Sequence, residues 1–315
     1  MKKVLWLIGS GPMAIDYAKV LIDQKVDFVT IGRRERNATI FADKTGIKPI
    51  MGGLDSFLDS KPDIPQGVVV AVGVESLAET TLTLLDYGIK NILCEKPGGL
   101  NQDQINQVSD ASNAHGANVL LAYNRRFYSS VEKAQQIIDE DGGVSSFHFE
   151  FTEWSHIISP LEKDLLIKNN WFLGNSTHVA DLAFFLGGRP EVISCFTFGG
   201  VNWHPRSSVF AGAGRSVTGA LFSYQANWEA PGRWAVEILT KKHRMYFIPM
   251  EKLLIQKIGS LVVEEVEIND SLDKAFKPGL YKQTEAFLLK RHERFITIQD
   301  QLIMADFYNK IANYN

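Results

Sequence analysis

Residues 5–18, LWLIGSGPMAIDYA, run a short apolar stretch into Gly9-x-Gly11-x-x-Ala14 and then into a helical pattern. The small residues have distinct tasks there. The first glycine permits a tight turn, the second lets a pyrophosphate approach the backbone, and Ala14 lets the helix pack closely on the strand. The helix N-terminus adds N–H groups and positive dipole for an anion. Alone the pattern is a tight turn; between a strand and a helix it predicts a dinucleotide site built from Gly9, Ser10, Gly11, Pro12 and Met13.

The alternation continues to about residue 123. VDFVTIG precedes a helical pattern near 39–45, GVVVAVG one over 77–87, NILCE one over 102–114, and NVLLAYN closes the series. Continuous apolar runs are strands buried on both faces, and their alternation with helices implies right-handed crossovers in a parallel sheet. After a helix over 128–139 the period changes. SSFHFEFTEW, EVISCFTFGG, SVTGALFSYQANW, RWAVEILTKKHRMYFIPM, KLLIQKIG and LVVEEVEI alternate with period two, as half-wet antiparallel strands do. Helices are expected at 177–186, 281–290 and 298–311. The predicted fold is α/β: a doubly wound Rossmann domain over 1–123, then an α+β domain with a large, mostly antiparallel open sheet over 124–315, its last helix packing back on the first domain. The cleft between the halves is the expected ligand site, and the second sheet the expected homodimer or homotetramer surface.

A chain of 315 residues with formal charge −3 suits about two domains and lacks the basic run of a nucleic-acid or membrane binder. Cys94 and Cys195 form no paired framework, which fits a reducing cytoplasm. Met1-Lys2-Lys3 before VLWLI imitates a secretory leader, but Gly9, Gly11 and Pro12 interrupt the apolar run too early. No metal is expected.

The second strand ends in VTIGRRERN. An acid at that point would bind the ribose hydroxyls of NAD; Gly32, Arg33 and Arg34 suit the 2′-phosphate of NADP instead, with NAD as the alternative. Val72, Gly73 and Glu95, at the next strand ends, complete the expected cofactor contacts. ILCEKPGGL puts Lys96 at the carboxyl end of the fourth strand, held extended by Pro97. In LGNSTHVADLAFFLGG, Asn175 or Ser176 caps a helix with His178 in its first turn and Asp181 three residues on. A helix N-terminus disfavours the imidazolium, so His178 is expected neutral. Asp181 reads as a structural partner.

GSGPMA, CEKP, YNRRF and the late H-x-x-D together resemble the glucose-fructose oxidoreductase and inositol dehydrogenase (Gfo/Idh/MocA) family over most of the chain. The resemblance implies hydride transfer between a nicotinamide and a sugar-like alcohol. Lys96 would be in the site, holding the substrate oxygen and taking part in proton transfer, and His178 would be the base. Two departures stand out: Gly174 replaces the family's acid four positions before the histidine, and AVGVESLAET lacks the family's T-P-N-x-x-H-like turn.

For the substrate, YNRRF brings Asn124, Arg125 and Arg126 to the same strand edge. The second half adds Trp154 and His156 in EWSH, Trp203, His204 and Arg206 in NWHPR, and Trp228 and Arg233 in NWEAPGRW, with Asn175 as an orienting donor. Tryptophan faces beside hydrogen-bonding cations suit an anionic sugar derivative. Trp234, at the head of an alternating strand, reads as a core or oligomer contact. The alternatives are a neutral polyol substrate, a cofactor recycled on the protein by two substrates, and a non-catalytic dinucleotide sensor.

Overall fold

The computed structural model describes residues 4–314. Met1, Lys2 and Lys3, on which the likeness to a leader rests, lie outside them. The chain divides into two compact units: residues up to Asn124 with Leu272–Leu302, and Arg125–Ser271 with the residues from Ile303 onward. Leu272–Leu302, expected with the second domain, therefore belongs to the first.

The first unit is built on a six-stranded sheet. Its strands are β1 Leu5–Ile8, β2 Phe28–Ile31, β3 Gly67–Val70, β4 Asn91–Cys94 and β5 Asn118–Leu121, followed by Ile296–Thr297 from the returning segment. The order is β2-β1-β3-β4-β5 and then the late strand. All neighbours are parallel except the last pair, in which Ile296 faces Leu121. This late strand carries too few residues for a period to show in the sequence. β1 and β3 are buried throughout, as unbroken apolar strands covered by helices on both faces must be. Strand order reverses between β1 and β3, and a doubly wound sheet binds ligands outside the carboxyl ends at such a point.

The second unit is built on an eight-stranded open sheet. Its strands are β6 Ser146–Glu150, β7 Pro190–Phe198, β8 Val209–Ser216, β9 Leu221–Asn227, β10 Ala235–Leu239, β11 His243–Phe247, β12 Leu254–Lys257 and β13 Val263–Glu265. They lie in the order β13-β12-β11-β10-β6-β9-β8-β7, antiparallel except for β6 beside β9. The period-two pattern shows directly. Phe147, Phe149, Phe222, Tyr224, Val236 and Ile238 face inward and are buried, while Ser146, His148, Ser223 and Gln225 alternate with them. Phe147 stacks on Phe222 and Phe149 on Tyr224, and Phe184 from the helix Thr177–Gly187 meets Phe147 edge-on. Each such ring stabilises the unit by about 1.5–3 kcal/mol through burial. Among the described residues, no helix is long and apolar enough to cross a membrane.

The helix expected at 177–186 is observed as Thr177–Gly187, but its start differs from the expectation. A π-helical turn, Phe172–Ser176, runs into it directly, and Ser176 has right-handed helical backbone with no side-chain cap. His178 therefore does not sit at a free helix N-terminus, and the dipole argument for its neutrality does not apply.

Candidate functional site

Gly9 follows β1 with φ +117°, and a Cβ there would strike the Ala71 carbonyl that follows β3. Only glycine lets the two strand ends approach so closely at the switch point. Gly11 precedes the helix Pro12–Asp23, no side chain caps that helix, and Pro12 occupies its first turn. A Cβ on Gly11 would meet nothing within 4 Å. A helix N-terminus with open space in front of a glycine fits a pyrophosphate, and Ser10 is buried in the same turn. At the mouth, the Lys277 ammonium lies 2.8 Å from Met13 Sδ and 3.8 Å from Asp16 Oδ2. Sequence reading missed this cation because it arrives on the returning segment.

The carboxyl end of β2 is tied to the next loop. The Gly32 N–H donates to the Ile50 carbonyl at 2.8 Å, and the Gly53 N–H donates to the Gly32 carbonyl at 3.0 Å. The Arg33 stem packs over Gly53, and the side chains of Arg33 and Arg34 are exposed. After β3, Val72 is half-buried and Gly73 is exposed, with the Glu75 carboxylate folded back against Gly73.

Lys96 is half-buried just beyond β4. The Glu95 N–H extends the pairing by donating to the Val70 carbonyl at 2.9 Å. Gly98, at φ +89°, is wedged against Ile298 and Leu121, so the turn that carries Lys96 is fixed by packing on both sides. The Tyr17 hydroxyl donates to Glu95 Oε1 at 3.1 Å. Burial raises the Glu95 carboxyl pKa, while Lys96, the Tyr17 hydrogen bond and Lys277 oppose that shift.

In the second unit a cluster forms around Trp234. Its indole lies 6.2 Å from the His178 ring, centroid to centroid. The Arg125 guanidinium lies 4.9 Å from the same indole and that of Arg233 4.6 Å from it; Arg233 is also 4.7 Å from Trp154. Trp154 is exposed, His156 lies beside it, and its indole N–H donates to the Gly232 carbonyl at 2.9 Å. Under the cluster lies Glu153, its side chain 1% exposed. Its Oε1 accepts from Asn175 Nδ2 at 2.8 Å and Ser176 Oγ at 2.7 Å, and its Oε2 from Arg233 Nη1 at 3.2 Å. Burial raises the Glu153 pKa against those three donors. Asn175 and Ser176, expected as caps, thus turn to a carboxylate instead.

Sequence reading missed Glu153 and the stacking of two cations on Trp234, whose burial agrees with the reading of it as a core contact. The signal was in the stretches already quoted: Glu153 and Trp234 each stand beside a residue that was singled out, Trp154 and Arg233. At Gly174 an added Cβ would meet nothing within 4 Å, so the departure there leaves open space.

The other expected substrate residues lie elsewhere. Asn124 is buried and donates to the Pro278 carbonyl at 2.9 Å. Arg126 forms a buried fork on Asp181, with Nε to Oδ2 at 2.8 Å and Nη2 to Oδ1 at 2.6 Å, which agrees with the structural reading of Asp181. Trp203 stacks on Trp228 at 5.2 Å, and His204 packs edge-on to Trp228. All three are buried in a core stack with no face open to a sugar. Arg206 lies over Tyr314 at 5.6 Å and reaches the Asn313 carbonyl. Proximity in sequence to tryptophan misled here, because alternate residues of these segments point inward.

The fold is a Rossmann-type parallel sheet followed by a large, mostly antiparallel one. No family model matches the chain. A curated relative from Streptococcus pneumoniae serotype 4 (strain ATCC BAA-334 / TIGR4), named an uncharacterized oxidoreductase, is 23% identical over 192 residues, covering 60% of this chain and 51% of that protein. The chain thus matches about half the length of that relative. Three solved structures share the fold over nearly the whole chain. An oxidoreductase from Agrobacterium radiobacter, in complex with NAD+, L-tartaric acid and magnesium, has a TM-score of 0.77 at 13% identity, covering 100% of this chain and 98% of that one. A putative NADPH-dependent oxidoreductase from Desulfitobacterium hafniense DCB-2 has 0.79 at 16%, covering 99% and 95%. Levoglucosan dehydrogenase with NADH and L-sorbose has 0.77 at 20%, covering 99% and 96%. At these identities the likeness is one of fold.

Proposed function

We propose that the chain is an NAD(P)-dependent oxidoreductase of the Gfo/Idh/MocA type that moves a hydride between a nicotinamide and a hydroxyl or keto carbon of an anionic sugar derivative. The observation that carries this reading is the glycine cradle at the β1/β3 switch point, with Lys96 fixed at the adjacent strand end. Gly9, Ser10, Gly11, Pro12 and Met13 would hold the pyrophosphate, with Val72, Gly73 and Glu95 beside it. Arg33 and Arg34 would hold the 2′-phosphate that makes NADP the preferred cofactor. The bound nicotinamide supplies the hydride acceptor or donor. Lys96 places an ammonium on the substrate oxygen, and His178 takes or returns the hydroxyl proton, the two contributions an alcohol oxidation needs from side chains.

The relatives support this reading in outline. Those described above are named for NAD+, NADH or NADPH, and two hold L-tartaric acid or L-sorbose. The free thiols of Cys94 and Cys195 suit a cytoplasmic protein. The open face of the eight-stranded sheet, where Phe196 and Phe198 are 71% and 79% exposed, is the surface we assign to self-association.

The deciding experiment uses reduced cofactor carrying deuterium at the transferable position and a panel of keto sugars and sugar acids. Deuterium in a product carbon establishes the activity. Tight cofactor binding with no transfer to any member would leave a dinucleotide sensor instead.

A further inference from the structure

The cluster around Trp234 contains an imbalance that fold and cofactor do not explain. Arg126, the next residue along, is neutralised by Asp181 through two short hydrogen bonds. Arg125 has no such partner: among the described residues, no carboxylate lies within ion-pair distance of its guanidinium, which stacks on Trp234 beside the like charge of Arg233. Arg125 is densely surrounded by protein yet keeps some solvent contact. Burial lowers its pKa and Arg233 adds to that effect, while Tyr128, Glu251 and Glu153 act the other way from beyond pairing distance. Glu251 is exposed and screened by water.

A guanidinium has five donors in a planar fork and no means of losing its charge. Leaving it crowded, beside a second guanidinium and without an acceptor, is costly unless a ligand supplies the anion. We propose that Arg125 and Arg233, set against the Trp234 indole, form a subsite for a carboxylate group of the substrate. The inference rests on the oxidoreductase reading for the word substrate, and on geometry alone for the word carboxylate.

Charge bookkeeping selects a monoanion. Arg125 and Arg233 contribute two positive charges, and the Glu153 carboxylate, which accepts from Asn175, Ser176 and Arg233, offsets one. The remaining single charge matches a carboxylate, while a phosphate dianion would leave negative charge uncompensated. Shape agrees, because a planar carboxylate meets the guanidinium fork edge to edge, and the buried indole on which both guanidinia lie fixes their position. Distance limits the size. The His178 ring is 6.2 Å from the indole that both guanidinia contact, so the carboxylate and the hydroxyl that reacts at His178 belong to one sugar unit. That makes the substrate class a sugar acid rather than a neutral polyol.

The test is isothermal calorimetry of the intact protein, saturated with oxidised cofactor, against hexuronates, the parent hexoses and the corresponding hexose phosphates. A parallel hydride-transfer assay uses the same compounds. The expected result is binding of a hexuronate in preference to the other two classes, weakened about 30-fold or more by Arg125→Gln and by a smaller factor in Arg125→Lys, which keeps the charge and loses the fork. Preference for a hexose or a phosphate, binding of none of the three, or hexuronate affinity unchanged in Arg125→Gln overturns the subsite. If Arg125→Gln fails to fold, the ligand preference of the unaltered protein and Arg125→Lys decide. Hexuronate binding without hydride transfer would instead refute the oxidoreductase reading and leave the carboxylate subsite standing.

Discussion

Replacing Arg126 by methionine removes the cation that forks onto Asp181 and leaves that carboxylate in a nearly dry site. The Asp181 side chain is 2% exposed and that of Arg126 10%, so water cannot take over the lost donors. Breaking such a pair from one side costs about 3–5 kcal/mol, because the charge that remains is buried without compensation. Burial already raises the Asp181 pKa against the pull of Arg126 and Arg125, and removing Arg126 raises it further. The sign follows from linkage. Where the folded pKa exceeds the unfolded one, the folded state binds more protons and stability falls as pH rises. The variant should therefore be most damaged at neutral pH and partly recover as the pH is lowered toward the raised value. Arg126→Met/Asp181→Leu, which leaves no lone charge, should regain most of the loss at neutral pH. Urea unfolding followed by tryptophan fluorescence is the assay, since five of the six tryptophans, all but Trp6, lie in the second unit. A loss below about 1 kcal/mol, the range of an exposed pair, would refute the reasoning, as would a double variant no better than the single one.

Three further outcomes are expected. NADPH should bind more tightly than NADH by about 1.5–3 kcal/mol, roughly ten-fold or more, and the difference should vanish in Arg33→Ser/Arg34→Ser; titration of intrinsic fluorescence measures both. Lys96→Met and His178→Ala should each lower turnover by about 100-fold with cofactor affinity little changed, and near-normal turnover in single-turnover kinetics would remove that residue from the mechanism. Asp141 is buried, which opposes ionisation, but Thr240, His243 and Lys242 hold its pKa below the usual carboxylate value. Its stabilising effect is therefore complete at neutral pH and lost as the pH falls through the lowered folded value. Asp141→Asn should cost about 1.5–3 kcal/mol at neutral pH and far less in acid, read from urea midpoints.

Elements with a repeating period were legible in advance. The buried parallel strands, the alternating strands of the second sheet and the amphipathic helices all follow from where apolar residues fall. Gly9 and Gly11 were legible because a backbone constraint leaves a residue-type signature. What escaped was set by partners distant in sequence. Ile296–Thr297 is too short for any period, and its place beside β5 is fixed only when Ile296 meets Leu121. The start of the His178 helix was misread because Asn175 and Ser176 are equally good caps and donors, and the buried Glu153 carboxylate took them as donors. Arg125 and Arg126 show the limit most sharply. They are identical in type, adjacent, and share one short turn, Asn124–Phe127; sequence assigns them one role. Side chains one residue apart on a turn leave in different directions, so Arg126 finds the inward carboxylate of Asp181 and Arg125 an indole with no counter-charge. The same residue type thus stabilises the core in one position and waits for a ligand in the next, a difference that lies in the acceptor each one meets.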